Sequence, residues 1–198
     1  QTGFEVARAM LALRPELPII LCSGYSSALS PERVTAAGIR EFMMKPVVEG
    51  RLLQAMNLEP GDEVLEVGTG TGFITACLAA LVRDVTSIDR HADFIERARA
   101  RLSADGINNV RLECGDVFAW QPGRQFDAIC VTGAVATDPE RFGAWLKPGG
   151  RLFVVHGQSP VQEALRITRR GEGFHRESLF ETDIPYLHGA APAPHFAF

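Results

Sequence analysis

The sequence predicts an α/β protein: an open parallel sheet with helices on both faces, closed by a C-terminal antiparallel hairpin and preceded by a smaller α/β fragment. From residue 62 onward, short apolar runs (DEVLEVG, DVTSID, NVRLEC, FDAICVT, GRLFVVHG) alternate with helix-length segments, the βαβα order of such a sheet. Several of these runs are apolar at successive positions, as in strands covered on both faces. At 198 residues and 46% hydrophobic composition, the chain is long enough for one generous domain plus a fragment.

Taken in order, Phe4, Val6, Ala7, Met10, Leu11 and Leu13 recur at helical spacing, and Pro15 stops the run. PIILCSG reads as a buried strand ending at Gly24. Ser30 suits an N-cap with Pro31 at the first helical position, Gly38 closes that helix, and IREFMM is a second strand. Pro46 fits the first turn of a further helix, where Val48, Leu52 and Met56 repeat at i, i+4 and i+8. The boundary therefore falls between a fragment at residues 1–45 and a larger domain at residues 46–198. In the larger domain a helix is expected after the first, second and fourth strands, the last between FDAICVT and GRLFVVHG, and a loop after the third. QEALRITRR and FHRESLFET flank Gly171 and Gly173 as a hairpin, and APAPHFAF is an extension.

Composition removes several classes of function. A formal net charge of −4, 22% charged residues and no long run of either sign leave no footprint for nucleic acid or an anionic membrane. Cys22, Cys77, Cys114 and Cys130 are dispersed without a C-x-x-C pair, as expected for reduced thiols in a cytoplasmic protein without a metal site. No apolar run approaches the roughly 20 residues of a membrane span. The chain opens on Gln1 without a leader-like pattern, and this start reads as a cut.

The chemistry concentrates in VLEVGTGTG. Gly68, Gly70 and Gly72 permit a tight turn after a buried strand and let a ligand approach bare backbone. The spacing is G-x-G-x-G, and Phe73 stands where a dinucleotide fingerprint needs its third glycine. Asp89 ends the next strand, 17 residues after Gly72, where a carboxylate can accept two ribose hydroxyls. Asp116 follows the third strand in ECGD. His91, His156, His175, His188 and His195 are scattered and read as structural or exposed, so no catalytic dyad is apparent.

With Glu66 ahead of it, the glycine loop resembles motif I of the class I S-adenosyl-L-methionine-dependent methyltransferases, which implies a Rossmann-like sheet. The resemblance implies a cofactor site of Glu66, Gly68, Thr69, Gly70, Gly72, Asp89, Arg90, Asp116, Val117 and Thr132, with Asp116 on the adenine amino group. GDEVLEVGTGTGF, VTGAVATDP, LKPGGRLFVV and ALRITRRGEGFHRESLFETDIPYLHG are similar to the protein-L-isoaspartate O-methyltransferase family from about Met43 to the C-terminus. That implies methylation of the carboxylate of isoaspartyl residues in damaged protein or peptide, with Met44, Lys45, Gly133 and Ala134 on the substrate side. Met44 and Lys45 stand where the family carries a serine and a glutamine, and Val117 where many members carry glycine. Methyl transfer to a carboxylate suits the missing dyad, because a carboxylate is already ionised at neutral pH and needs no general base.

About the first 46 residues resemble the second half of a response-regulator receiver domain, with Ser23 and Lys45 at its phosphoryl-sensing positions. The acids that such a domain needs would precede Gln1, so this segment is expected not to be phosphorylated. Two other readings stay open: a non-catalytic S-adenosyl-L-methionine-binding or chimeric module, and a small-molecule methyltransferase of the corrin-pathway kind.

Overall fold

The computed structural model describes residues 10–12, 20–23, 41–44 and 47–193. The chain divides into two compact units, Gln1–Gly50 and Arg51–Phe198. In the first, residues 10–12 are helical, and β1 (Ile20–Ser23) pairs in parallel with β2 (Glu41–Met44), placing Ile20 opposite Glu41. The expected cap and helix around Ser30, Pro31 and Gly38 lie outside the described residues, as do Lys45 and Pro46. Helix α1 (Val47–Met56) runs across the division, and its Leu52 and Met56 are buried at the expected i, i+4 spacing.

The second unit is a seven-stranded sheet in the order β5-β4-β3-β6-β7-β8-β9. Its strands are β3 (Glu63–Val67), β4 (Asp84–Asp89), β5 (Val110–Cys114), β6 (Phe126–Val135), β7 (Leu146–Gln158), β8 (Val161–Arg170) and β9 (Gly173–Thr182). The first five are parallel, and β8 and β9 are the antiparallel hairpin read from Gly171 and Gly173. All residues of β3 after Glu63 are buried in succession, because both of its faces are covered. Helix α2 (Phe73–Leu81) buries Ile74, Thr75, Leu78 and Ala79, and α3 (Ala92–Ala104) buries Ile95, Ala98 and Leu102. Leu65, Val67, Ile88, Ile129, Val131, Phe142, Leu152 and Ile167 lie in one continuous core.

One expected element differs. Between β6 and β7 the chain makes a 3-10 helix, Pro139–Trp145, of seven residues rather than an α-helix. Asp138, at φ 46°, turns the chain into it, and its Phe142 is fully buried. β7 starts at once at Leu146, so the residues left over cannot complete two α-helical turns with their caps. β6 also continues past the expected FDAICVT to Val135.

From β3 the chain winds outward to β5, then returns to the other side of β3 as β6. That reversal opens a crevice at the carboxyl ends of the central strands, the usual ligand position in an open α/β sheet.

Candidate functional site

The glycine loop connects β3 to α2 and needs left-handed backbone at three places: Gly68, Gly70 and Gly72 have φ of 98°, 51° and 79°. The three serve different ends. A Cβ on Gly68 would overlap Thr132 Oγ1, whose hydroxyl lies 2.7 Å from the Gly68 carbonyl and 3.0 Å from that of Val67. One on Gly72 would meet the Ala98 Cβ at 3.0 Å, so this glycine lets α2 and α3 pack closely. Gly70 is open, and its N–H donates to Asp89 Oδ2 at 2.9 Å.

Beneath the loop lies a buried polar chain. Glu66 is fully buried, and its Oε2 accepts hydrogen bonds from the Thr75 and Ser87 hydroxyls, each at 2.5 Å. The Thr69 hydroxyl lies 2.6 Å from that of Ser87, so the loop, β3, β4 and α2 share one network. Glu66 Oε1 has no hydrogen-bond partner among the described residues. Burial pushes the Glu66 carboxyl up to about 7, against the two hydroxyl bonds, and the nearby Asp89 adds to the rise.

A carboxyl raised in the folded state destabilises folding once the unfolded chain has ionised. Stability from this group is therefore highest below about 4.5 and falls as pH rises through about 7, by about 3 kcal/mol in all. Glu66→Gln is expected to flatten that decline, read as urea unfolding free energies at about pH 5 and about pH 8. Parallel pH dependences of the two proteins would show that Glu66 does not titrate in this window.

In front of the loop a pocket of about 360 Å³ is lined by Val67 and Gly68, by Ile88, Asp89, Arg90 and His91 at the end of β4, and by Phe94 of α3. Gly115, Asp116 and Val117 after β5 and Tyr186, Leu187 and His188 complete the lining. The volume is that of a small-molecule site. Asp89 Oδ1 accepts the His91 N–H at 2.9 Å, so both carboxylate oxygens are oriented by backbone donors and each keeps a further acceptor site. Asp116 Oδ1 accepts the Phe118 N–H at 2.9 Å, and its Oδ2 lies 3.6 Å from Arg90 Nη1.

Of the residues expected at a cofactor site, Gly68, Asp89, Arg90, Asp116 and Val117 thus meet in one pocket. Glu66, Thr69, Gly70, Gly72 and Thr132 do not line it: they shape the loop from behind or from its flank. Gly133 and Ala134 lie at the end of β6, where Ala134 bridges to Tyr186 in parallel. Nothing is described of the Met44 side chain, and Lys45 falls outside the described residues.

Sequence reasoning did not single out Ser87, Thr75, Phe94, Tyr186 or Leu187. It read His91 and His188 as structural or exposed; both are exposed, and both also line the pocket. For Thr75 a signal existed, a polar residue within the otherwise apolar run FITACLAAL; Ser87, beside Thr86 in DVTSID, had none as clear. Among the described residues, no cluster of three or more His, Cys, Asp or Glu is arranged to hold a metal ion. No described helix is long and apolar enough to cross a membrane.

Residues 22–184 match the family described as protein-L-isoaspartate(D-aspartate) O-methyltransferase, a span that begins ahead of the boundary drawn at residues 45 and 46. A protein-L-isoaspartate O-methyltransferase of Methylorubrum extorquens is 41% identical over 159 residues, 79% of this chain and 69% of the relative. One from Dictyoglomus thermophilum is 35% identical over 143 residues, 72% of this chain and 65% of the relative. The chain thus spans about two thirds of the length of these curated relatives.

A solved protein-L-isoaspartate O-methyltransferase superposes with a TM-score of 0.66 at 26% identity, covering 73% of this chain and 47% of the other. A structure from Plasmodium falciparum, described as a putative protein-L-isoaspartate O-methyltransferase in complex with S-adenosyl-L-homocysteine, gives a TM-score of 0.64 at 21% identity. It covers 73% of this chain and 75% of the other and shares the fold.

Proposed function

Because this chain belongs to the protein-L-isoaspartate(D-aspartate) O-methyltransferase family, we propose that it binds S-adenosyl-L-methionine in the pocket before Gly68 and methylates the carboxylate of isoaspartyl residues in damaged protein or peptide. The observation that carries the reading is the meeting of Gly68, Asp89 and Asp116 around one pocket at the carboxyl ends of β3, β4 and β5. Two features suit this cofactor in particular. At Gly68 the backbone is bare where a side chain would obstruct the loop. At Glu66 a buried acceptor without a partner among the described residues sits one residue behind the pocket wall, which favours a cationic amino acid end.

In this reading Asp89 accepts hydrogen bonds from the ribose hydroxyls with the oxygen capacity its backbone donors leave over, and Asp116 takes the adenine amino group. Arg90, Val117 and Phe94 enclose the base. The cofactor supplies a methyl group already activated by its sulfonium. The chain's residues hold the two reactants in line and exclude water, which turns a bimolecular displacement into an effectively intramolecular one. No residue need remove a proton, because the acceptor carboxylate is ionised at neutral pH. Gly133 and Ala134 are proposed to lie on the acceptor side of the pocket, beneath Tyr186 and Leu187.

The partner is a protein or peptide bearing isoaspartate, rather than nucleic acid. The dispersed free thiols of Cys77, Cys114 and Cys130 suit the reducing cytoplasm.

Methyl transfer from radiolabelled S-adenosyl-L-methionine to an isoaspartyl peptide, with the matching aspartyl peptide as control, tests the reading. Binding without transfer to the isoaspartyl peptide would leave a binding module, and transfer to a small acid alone would point to another acceptor. Asp89→Ala is expected to weaken cofactor affinity about 10- to 100-fold, the loss of one or two charge-assisted hydrogen bonds. Calorimetry showing unchanged affinity would remove Asp89 from the site.

A further inference from the structure

The segment that leaves β9, residues 183–190, forms one wall of the pocket and has no part in the chemistry described so far. It runs across the end of β6 as a strap. The Ala134 N–H donates to the Pro185 carbonyl and the Leu187 N–H to the Ala134 carbonyl, each at 2.9 Å, and the Ala136 N–H reaches the Ala190 carbonyl at 2.9 Å. Leu187 is its peg: a Cβ on Gly133 would come within 2.9 Å of Leu187 Cδ2, so the missing side chain is what lets the strap lie this close. The Leu187 side chain also stands 3.7 Å from the Cβ position of Gly68, directly beside the glycine loop.

A second anchor comes from the turn between β7 and β8. Tyr186 lines the pocket and sends its hydroxyl to that turn, where it accepts the Ser159 N–H at 2.8 Å and donates to the Gly157 carbonyl at 3.1 Å. Just ahead of it, the Ile184 N–H donates to Oε1 of the buried Gln162 at 2.8 Å, and the Ser159 hydroxyl meets Asp183 Oδ2 at 3.1 Å. The three bonds to β6 fix the height of the strap above the sheet. The bonds from the turn fix its position along β6, and so the distance of Leu187 and His188 from the opposite wall of Asp89, Arg90 and His91.

We propose that Tyr186 is a positioning residue for the ligand pocket: through its hydroxyl, the β7–β8 turn holds the strap so that Leu187 and His188 form the wall beside Gly68. This rests on the reading of the pocket as the S-adenosyl-L-methionine site. It predicts that the hydroxyl matters to binding although it points away from the ligand.

Tyr186→Phe keeps the ring and removes only the hydroxyl that anchors the strap. S-adenosyl-L-homocysteine affinity by calorimetry is expected to fall roughly 5- to 30-fold. Amide exchange should quicken at Leu187 and Ala190 while β8 and β9 keep their protection and the melting temperature barely moves. Unchanged affinity, with or without a loosened strap, overturns the proposal. If Tyr186→Phe does not fold, Leu187→Ala shortens the peg and leaves the hydroxyl anchor intact: a similar loss of affinity supports the strap as a wall, and wild-type affinity overturns it. Absence of binding by the wild-type chain would instead sink the cofactor reading, and the proposal with it.

Discussion

Gly68→Ala is expected to reduce S-adenosyl-L-methionine affinity at least about 100-fold and to destabilise the chain by about 3 kcal/mol. Two effects add at this residue. Its φ of 98° lies in a region that L side chains rarely adopt, which alone costs about 1–3 kcal/mol. The new methyl would also overlap the Thr132 hydroxyl, which bonds the Gly68 carbonyl at 2.7 Å, so relief requires the loop or β6 to move. Either movement shifts the floor of the pocket. Gly70→Ala is the control: its φ of 51° is ordinary left-handed helix and its Cβ meets open space, so the expected cost is only about 1 kcal/mol. Affinity of Gly68→Ala within threefold of wild type would show that the ligand does not use this loop.

Arg151→Ala carries the largest expected loss of stability, about 3–5 kcal/mol by denaturant unfolding. The guanidinium is 18% exposed and pairs with Asp62 Oδ2 at 2.6 Å. It also donates to the carbonyls of Met56 at 2.6 Å, Asn57 at 2.8 Å and Asp127 at 3.3 Å. Two of these are carbonyls at the C-terminus of α1, which have no intrahelical partner and lie at the negative end of the helix dipole. One side chain on β7 thereby ties the end of α1 to the turn that leads into β3. Removing it leaves the nearly buried Asp62 carboxylate without its counter-charge, with only the Glu59 N–H at 2.8 Å on that oxygen, and takes a donor from all three carbonyls. Arg151→Lys should recover only part of the loss, because one ammonium cannot span the fork. A change below about 1 kcal/mol for Arg151→Ala would show that water replaces these bonds at no cost.

Much of this was legible in the sequence because the signals are local. Strands covered on both faces leave short runs rich in apolar and β-branched residues, and VLEV and VTSI are compact enough to show where β3 and β4 run. A left-handed turn favours glycine, so G-x-G-x-G marks the loop without reference to anything distant. Asp89 and Asp116 were readable for the same reason: Asp89 ends β4, Asp116 stands two residues past β5, and parallel pairing brings those ends to one edge. The expected helix after β6 failed because alternation alone does not count residues, and Pro139–Trp145 is too short for more than a 3-10 helix.

The division of the glycines and of the polar residues into separate duties was not legible. Glu66, Thr69 and Thr132 read like residues that line a ligand site, and the structure sets them behind or beside the loop, outside the pocket lining, since only packing decides which side of a strand end faces the crevice. Ser87 and Thr75 gain their role by meeting Glu66 across 21 and 9 residues of chain. Tyr186 reaches the β7–β8 turn across 27 residues. The sequence by itself determined the parallel sheet, the glycine loop and the two strand-end acids, because each follows from backbone geometry within a few residues. Tertiary structure alone decided which wall Leu187 and His188 build and what holds it, because those contacts exist only once β6, β7 and β8 lie side by side.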